Sequence, residues 1–262
     1  MKKRTAAALA LVTAGLPWKI DSTCYKIHSR KVKHPLRICV IADLHSTWFG
    51  VDQYKLIDKI NKAAPDIIVF PGDLFDERKK PDAVYTLIRR LHDYPMFYGQ
   101  GNHEKRAPLD QQMIWNSWLK AHGVQILEDE CIYIPEVNVE IAGMHCMHHE
   151  PDCRPRDVSM LFRHHGYRVL LSHRHHFRTF YRDVDCDLVI AGHAHGGQWR
   201  IPFLHRGVYA PQSGLFPNHT EGMFQNGDHM MIVSRGLNRS AHGIMRLYNN
   251  PELVFVDLLC KE

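Results

Sequence analysis

Hydrophobic positions in the first half of the chain come in short blocks that alternate between two periodicities. Leu36 to Ala42 (LRICVIA) is a nearly continuous apolar run of strand length. Val51 to Ala63 then carries apolar residues at helical spacing, and Asp66 to Phe70 (DIIVF) is a second strand-like run. A helical pattern over Ala83 to Leu91, a short strand over Met96 to Tyr98 and a helix over Leu109 to Ala121 complete the series. Strands that alternate with helices in this way predict an α/β fold with a parallel sheet.

The second half is richer in strand patterns. Val124 to Leu127, Val139 to Met144, Arg168 to Ser172, Leu188 to Ala191, Met230 to Val233 and Leu253 to Leu258 all read as strands. Two sheets packed face to face with helices outside accommodate them all. Gly196 to Gly227, rich in Gly, Pro and aromatic residues, reads as a long loop, and loops of that length in a compact domain are often functional. No internal repeat or linker divides residues 36–262, which we read as one domain.

Residues 1–35 have a different character. Lys2, Lys3 and Arg4 precede an apolar run from Thr5 to Leu16, closed by Pro17 and Trp18. This resembles the basic head and apolar stretch of a signal peptide, but it is too short to span a bilayer as a straight helix. No small-x-small cleavage site follows, and Lys19, Lys26, Arg30, Lys31 and Lys33 flank the run. Such charge stays on the cytoplasmic side. The expectation is peripheral membrane association facing the cytoplasm, with export through an N-terminal signal as the alternative.

Composition narrows the picture further. At 262 residues with 45% hydrophobic and 23% charged positions, the chain can build a core without staples. The formal charge of +5 suits an anionic substrate or an acidic surface and is too small to indicate nucleic acid. The 7 cysteines include no C-x-x-C pair, so neither a zinc ribbon nor a disulfide framework is indicated, and a reducing compartment suits them best. Histidine is abundant, at 20 residues, and five of these fall in clusters that sit where predicted strands end.

Those clusters are Asp43-Leu44-His45, Gly72-Asp73, Gly101-Asn102-His103-Glu104, Ser172-His173, and Gly192 to Gln198 (GHAHGGQ). Ligands of open α/β sheets gather at the carboxyl ends of the strands, so one sheet edge can assemble all five. Carboxylate and imidazole donors without cysteine suit manganese, iron or zinc. Asp43 and His45 would sit about 7 Å apart along an extended strand, and converge on one ion only if the strand has broken into a turn. Seven candidate ligands exceed what one catalytic zinc takes. They suit two ions roughly 3.5–4 Å apart.

Taken together, the set resembles the calcineurin-like metallophosphoesterases. The resemblance implies a four-layer α/β/β/α sandwich. It also implies that Asp43, His45 and His195 hold one divalent ion, that Asn102, His173 and His193 hold the other, and that Asp73 bridges the two. His103 would act as general acid or orient the phosphate, which Asn102 would also contact. The segments GHAHGGQ, Ala210 to Phe216 (APQSGLF), Ser234-Arg235-Gly236 and Tyr248 to Glu252 (YNNPE) are similar to a bacterial membrane-associated phosphodiesterase branch. The likeness runs from Leu36 to Leu258. Three positions depart from it: Asp76 replaces the tyrosine of purple acid phosphatases, His175 replaces a proline after Ser-His-x, and Met144-His145-Cys146 stands where relatives carry an acid.

The resemblance implies metal-dependent hydrolysis of a phosphodiester or pyrophosphate bond, on a lipid- or nucleotide-linked substrate such as a nucleotide-diphosphate sugar lipid. The alternatives are a soluble phosphomonoesterase or protein phosphatase, and a non-catalytic scaffold of the same fold. Against the scaffold, His103 and every candidate ligand are present. Arg200 is a candidate phosphate contact. The pairs His148-His149, His164-His165 and His175-His176, with His219 and His229, lack strand-end context and are expected to be solvated. Trp199, Phe203 and Phe216 are expected to pack their loop down.

Overall fold

The computed structural model describes residues 13–145, 153–202, 204, 206–210, 212–241 and 244–261. The first half gives β1 (Asp21–Ser29), β2 (Leu36–Val40), α1 (Tyr54–Ala63), β3 (Ile67–Pro71), α2 (Asp82–Arg90), β4 (Met96–Gly99), α3 (Asn102–Arg106), α4 (Leu109–Ala121) and β5 (Val124–Ile126). There follow β6 (Glu130–Ile134), β7 (Val139–Gly143), α5 (Pro155–Ser159), β8 (Tyr167–Arg174), α6 (Arg178–Arg182) and β9 (Leu188–Gly192). Short pairs β10 (Arg200–Ile201) with β11 (Arg206–Gly207), and β12 (Tyr209–Ala210) with β13 (Gly214–Leu215), form hairpins after β9. The chain closes with β14 (Gly222–Asn226), β15 (His229–Val233), the hairpin β16 (Ser240–Ala241) and β17 (Ile244–Met245), and β18 (Glu252–Cys260).

Two six-stranded sheets result, in the orders β1-β18-β2-β3-β4-β5 and β14-β15-β9-β8-β7-β6. Strands β2 to β5 run parallel, as do β15, β9, β8 and β7. Strand alternation sorts their side chains into two layers. Ile38, Val40, Ile67 and Val69 face Ile141, Val169, Leu171, Ile190 and Ile232 between the sheets. Cys39, Ile41, Ile68 and Phe70 face outward to Leu56, Ile60, Leu87, Ile88 and Trp115 of α1, α2 and α4. A third cluster joins Leu170, Val189 and Met231 to Val158, Phe177 and Tyr181 near α5 and α6. Burial on both faces is why these strands read as unbroken apolar runs. Three apolar interfaces make four layers, α/β/β/α, as expected.

Sequence reading finds the edge strand β5 but overlooks the other three sheet edges. β1 lies before residue 36, yet pairs in parallel with β18 from Asp21–Glu252 to Ser29–Cys260, which extends the sheet into the N-terminal segment. Its half-buried Thr23, Tyr25 and Ile27 alternate with exposed Ser22, Cys24, Lys26 and His28. Such a mixed pattern is ordinary for an edge strand. β6 and β14, also edges, carry the same weak signal, and β14 takes the end of the stretch read as loop. Most of the apolar run Thr5 to Leu16 lies outside the described residues. Among the described residues, no helix is long and apolar enough to cross a membrane.

Candidate metal centre

Neighbouring strands deliver the clustered residues to one place. β2, β3 and β4 lie side by side in the first sheet, and β8 and β9 in the second. Loops beyond their carboxyl ends cross-link: Asp43 N–H donates to the Gly72 carbonyl (3.2 Å) and His45 N–H to the Asp73 carbonyl (2.9 Å). His193 N–H bridges the two sheets by donating to both Asp43 carboxylate oxygens, at 3.0 and 3.1 Å. β2 ends at Val40, so Asp43 and His45 lie in a turn and can converge. Asp43, His45, Asp73, His193 and His195 all have φ between 47° and 68°. That left-handed conformation is costly for non-glycine residues and clusters at functional sites. Gly72 makes room as well, because a Cβ there would meet His173 Nδ1 at 2.5 Å.

All seven candidate ligands are buried. Asp43, His45 and His195 present one group of donor atoms within 4.8 Å of one another, and Asp73, His173 and His193 present a second. Asp73 stands between the two: its Oδ2 is 3.1 Å from His173 Nε2 and 3.5 Å from His45 Nε2. Asn102 turns its amide oxygen to His193 Nδ1 (2.7 Å) and His173 Nε2 (3.2 Å), a meeting of electron-pair donors. Without a cation the reversed amide would bond better, donating to both rings. His45 Nε2, His195 Nδ1 and Asp73 Oδ2 are buried with no hydrogen-bond partner. Orphaned donors of this kind, converging from several elements, fit divalent cations.

Proton placement points the same way. The Pro71 carbonyl can only accept, so it takes the proton of His173 Nδ1 (3.2 Å) and leaves Nε2 for the cluster. Gln212 Oε1 does the same for His193 Nε2 at 2.6 Å, leaving Nδ1 inward. Burial pushes His45 down to about 3, and burial with neighbouring positive groups pushes His193 and His195 well down. These rings are therefore neutral, the state a metal requires. Burial lifts Asp43 to about 7, partly opposed by His173. Burial would lift Asp73 too, but His173, His45 and His103 outweigh it and hold that carboxylate well below its ordinary range. His173 is raised in turn: burial lowers it, and Asp73 more than compensates.

A supporting layer surrounds this core. His103 N–H donates to Asp73 Oδ1 (2.8 Å), its Nε2 lies 3.9 Å from Asp73 Oδ2, and its Nδ1 meets Glu77 Oε2 at 2.6 Å. Glu104 accepts from the backbone N–H groups of Asp73, Gly101 and Phe75, which ties two ligand loops together. Asp76 faces His45 Nδ1 at 3.9 Å and bonds Lys79. Glu77 and Gln212 are functional candidates that sequence reasoning misses, because neither carries a local signature of its partner. The structure does not bring Arg200 into the cluster. Its guanidinium is committed to Glu221 and to the Gly196 carbonyl (3.1 Å).

Several expectations about other residues change. His175 and His229 are buried, not solvated, and His176 is half-buried. His175 and His176 follow a buried strand end that turns them inward beside His193. His164 and His165 are exposed as expected, and His219 is half-buried. His148 and His149 lie outside the described residues, as do Cys146 and Phe203. Trp199 and Phe216 are about half exposed, with Trp199 Nε1 donating to the Met245 carbonyl at 2.9 Å. The hairpins pack their loop mainly through backbone pairing, with Arg206 lying over the Phe216 ring at 5.7 Å.

Comparison with known proteins agrees with this arrangement. The sequence profile of the calcineurin-like phosphoesterase family matches residues 36–197. The chain is 28% identical over 233 residues to phosphodiesterase YaeI of Escherichia coli, covering 86% of this chain and 83% of that one. It is 28% identical over 258 residues to the uncharacterized metallophosphoesterase YkuE of Bacillus subtilis, covering 92% and 86%. The solved structure of TT1561 from Thermus thermophilus shares the fold, with a TM-score of 0.50 at 11% identity over 77% of this chain and 89% of that one.

Proposed function

The chain belongs to the calcineurin-like phosphoesterase family and is a metal-dependent phosphoesterase, and on that premise we propose that it cleaves a phosphodiester or pyrophosphate bond with a dinuclear centre. Asp43, His45 and His195 would hold one ion, and Asn102, His173 and His193 the other, with Asp73 shared. The observation that carries this reading is Asp73 Oδ2, buried, without a hydrogen-bond partner, and flanked by His45 on one side and His173 on the other. Manganese, iron and zinc all suit the oxygen and imidazole donors.

When bound, two such ions supply Lewis acidity that activates water and neutralises phosphate oxygens. The chain's own residues do the rest. His103 donates a proton from Nε2 to the departing oxygen, while Glu77 holds its Nδ1 side and fixes the ring. The Asn102 amide, beside His173 and His193, orients the phosphate. Glu104 keeps the Asp73 and Gly101 loops in register.

The basic, apolar N-terminal run supports a substrate met at the cytoplasmic face of a membrane, carried on a lipid or a nucleotide. The test measures metal content and hydrolysis of bis-p-nitrophenyl phosphate for wild type and Asp73→Asn. About two ions per wild-type chain, manganese-stimulated cleavage and loss of both in the variant support the reading. A wild type that takes up no metal and cleaves nothing under any divalent ion ends it.

A further inference from the structure

Several buried or half-buried arginines in this chain have an acid. Arg200 pairs with Glu221, Arg235 with Glu221, Glu252 and Asp21, and Arg168 with Glu140 and Asp185. Fully buried Arg246, which has no ion pair among the described residues, instead bonds the Arg235 carbonyl (2.6 Å) and Asn238 Oδ1 (2.5 Å). The segment that leaves the cluster after His173 breaks this pattern. Arg174 is only 4% exposed, yet its guanidinium has neither hydrogen bond nor ion pair among the described residues, and its Nε is buried bare. Arg178 rests on the Phe224 ring at 5.4 Å, has no carboxylate partner among the described residues, and also buries a bare Nε.

Two imidazoles lie between them. His175 is 1% exposed, bonds Ser213 Oγ through Nε2 (3.1 Å), and leaves Nδ1 unpartnered. Both ring nitrogens of His176 are buried and unpartnered. Each ring stands close to a candidate metal ligand, with centroids 5.9 and 5.6 Å from that of His193. Leaving a buried donor bare is costly, and leaving a charged one bare more so. Four residues in one short segment leave buried side-chain nitrogens without a partner beside a candidate metal ligand, and two of the four are guanidinium groups, a set that suits an anion.

Building on the phosphoesterase reading, we propose that Arg174, His175, His176 and Arg178 form an anion subsite beside the metal centre. It receives a second phosphate group of the same substrate, which makes the substrate class a diphosphate with a scissile P–O–P bond. In that reaction water oxygen bonds to the phosphorus at the metal centre and the bridging P–O bond breaks. The departing phosphate oxygen takes the His103 proton, the proton lost by water replaces it, and two phosphate monoesters leave. Arginine forks suit the departing phosphate because they bind its oxygens in pairs.

The test is calorimetric titration of the manganese-loaded full chain with AMP, which has one phosphate, and with α,β-methylene-ADP, an uncleavable diphosphate. Wild type should bind the diphosphate at least about tenfold more tightly, and Arg174→Gln should lower that ratio about tenfold. Arg178→Gln, which is not adjacent to a ligand, should lower it in the same direction and keeps the test valid if the first variant fails to fold. Equal affinities in wild type, or variants that keep the wild-type ratio, overturn the subsite. Turnover of bis-p-nitrophenyl phosphate separates the two readings. A chain that cleaves it but shows no diphosphate preference loses only the subsite, whereas an inert chain with that preference loses only the phosphoesterase mechanism. The methylene diphosphonate of farnesol, titrated alongside, names the source: tighter than α,β-methylene-ADP for a lipid-borne diphosphate, weaker for a nucleotide.

Discussion

Gln212 accepts the Nε2 proton of His193 at 2.6 Å, and this bond decides which ring nitrogen His193 turns toward the cluster. Gln212 sits in the turn of the β12–β13 hairpin, whose next residue, Ser213, bonds His175. One turn therefore braces two imidazoles. Partners that fix a ligand's tautomer are worth roughly 10–100-fold in metal affinity. Gln212→Leu should weaken manganese binding by about that factor while leaving the fold intact. Calorimetric titration with manganese, with circular dichroism as control, checks this. An unchanged affinity would mean that the hairpin plays no part in the centre.

Metal should also stabilise the folded chain, because the centre does not exist in the unfolded one. At manganese concentrations about 100-fold above Kd the gain is roughly 2.7 kcal/mol. For a domain of this size that raises Tm by several degrees. Asp73→Asn should abolish most of this shift, since the shared carboxylate is lost to both donor groups. Thermal melts with and without manganese give the answer directly. A variant that keeps the full shift would remove Asp73 from the metal site.

Much of this centre is legible in the amino-acid sequence. Carboxylates and histidines directly after apolar runs announce ligands at strand ends, and the helix Leu109–Ala121 has the bounds its pattern predicts. What stays illegible depends on the third dimension. The left-handed φ of Asp43 and His45 brings two residues of one strand end together, and no propensity encodes it. Glu77 and Gln212 act through partners 26 and 19 residues away, so their local sequence reads as ordinary loop. β1, β6 and β14 are sheet edges, where one exposed side dilutes the apolar signal. His175 and His176 read as a solvated pair because nothing local shows that their strand ends inside the molecule.

The Glu77–His103 contact yields a prediction about leaving groups. A general acid matters most when the departing oxygen is a poor leaving group, and little for p-nitrophenolate. His103→Ala should therefore lower kcat on an alkyl phosphodiester by about 10²–10⁴-fold and on bis-p-nitrophenyl phosphate much less. Glu77→Ala should follow the same pattern at smaller amplitude, with metal content unchanged, because Glu77 touches His103 and none of the ligand groups. Equal losses on both substrates would assign His103 to phosphate binding instead.

Asp43 makes the metal-free chain sensitive to pH. Burial raises its folded pKa to about 7 from an ordinary value of 3.8, so the folded carboxyl holds its proton more tightly than the unfolded one. Below about pH 4 the group is protonated in both states and contributes nothing. Between about pH 4 and 7 ionisation favours the unfolded chain increasingly, and above 7 the penalty levels off, at an order of a few kcal/mol. Asn cannot ionise, and Asp43→Asn should remove this penalty. Without metal, the variant should match or trail wild type near pH 4, because its amide group disturbs the bonds from His193 N–H. It should then gain on wild type steadily up to about pH 7. With saturating manganese the order should reverse at neutral pH, since the ionised carboxylate then has a cation to face. Urea unfolding of both chains across this range, with and without metal, measures the difference. A gap between the two that does not change with pH would show that Asp43 titrates alike in folded and unfolded chains.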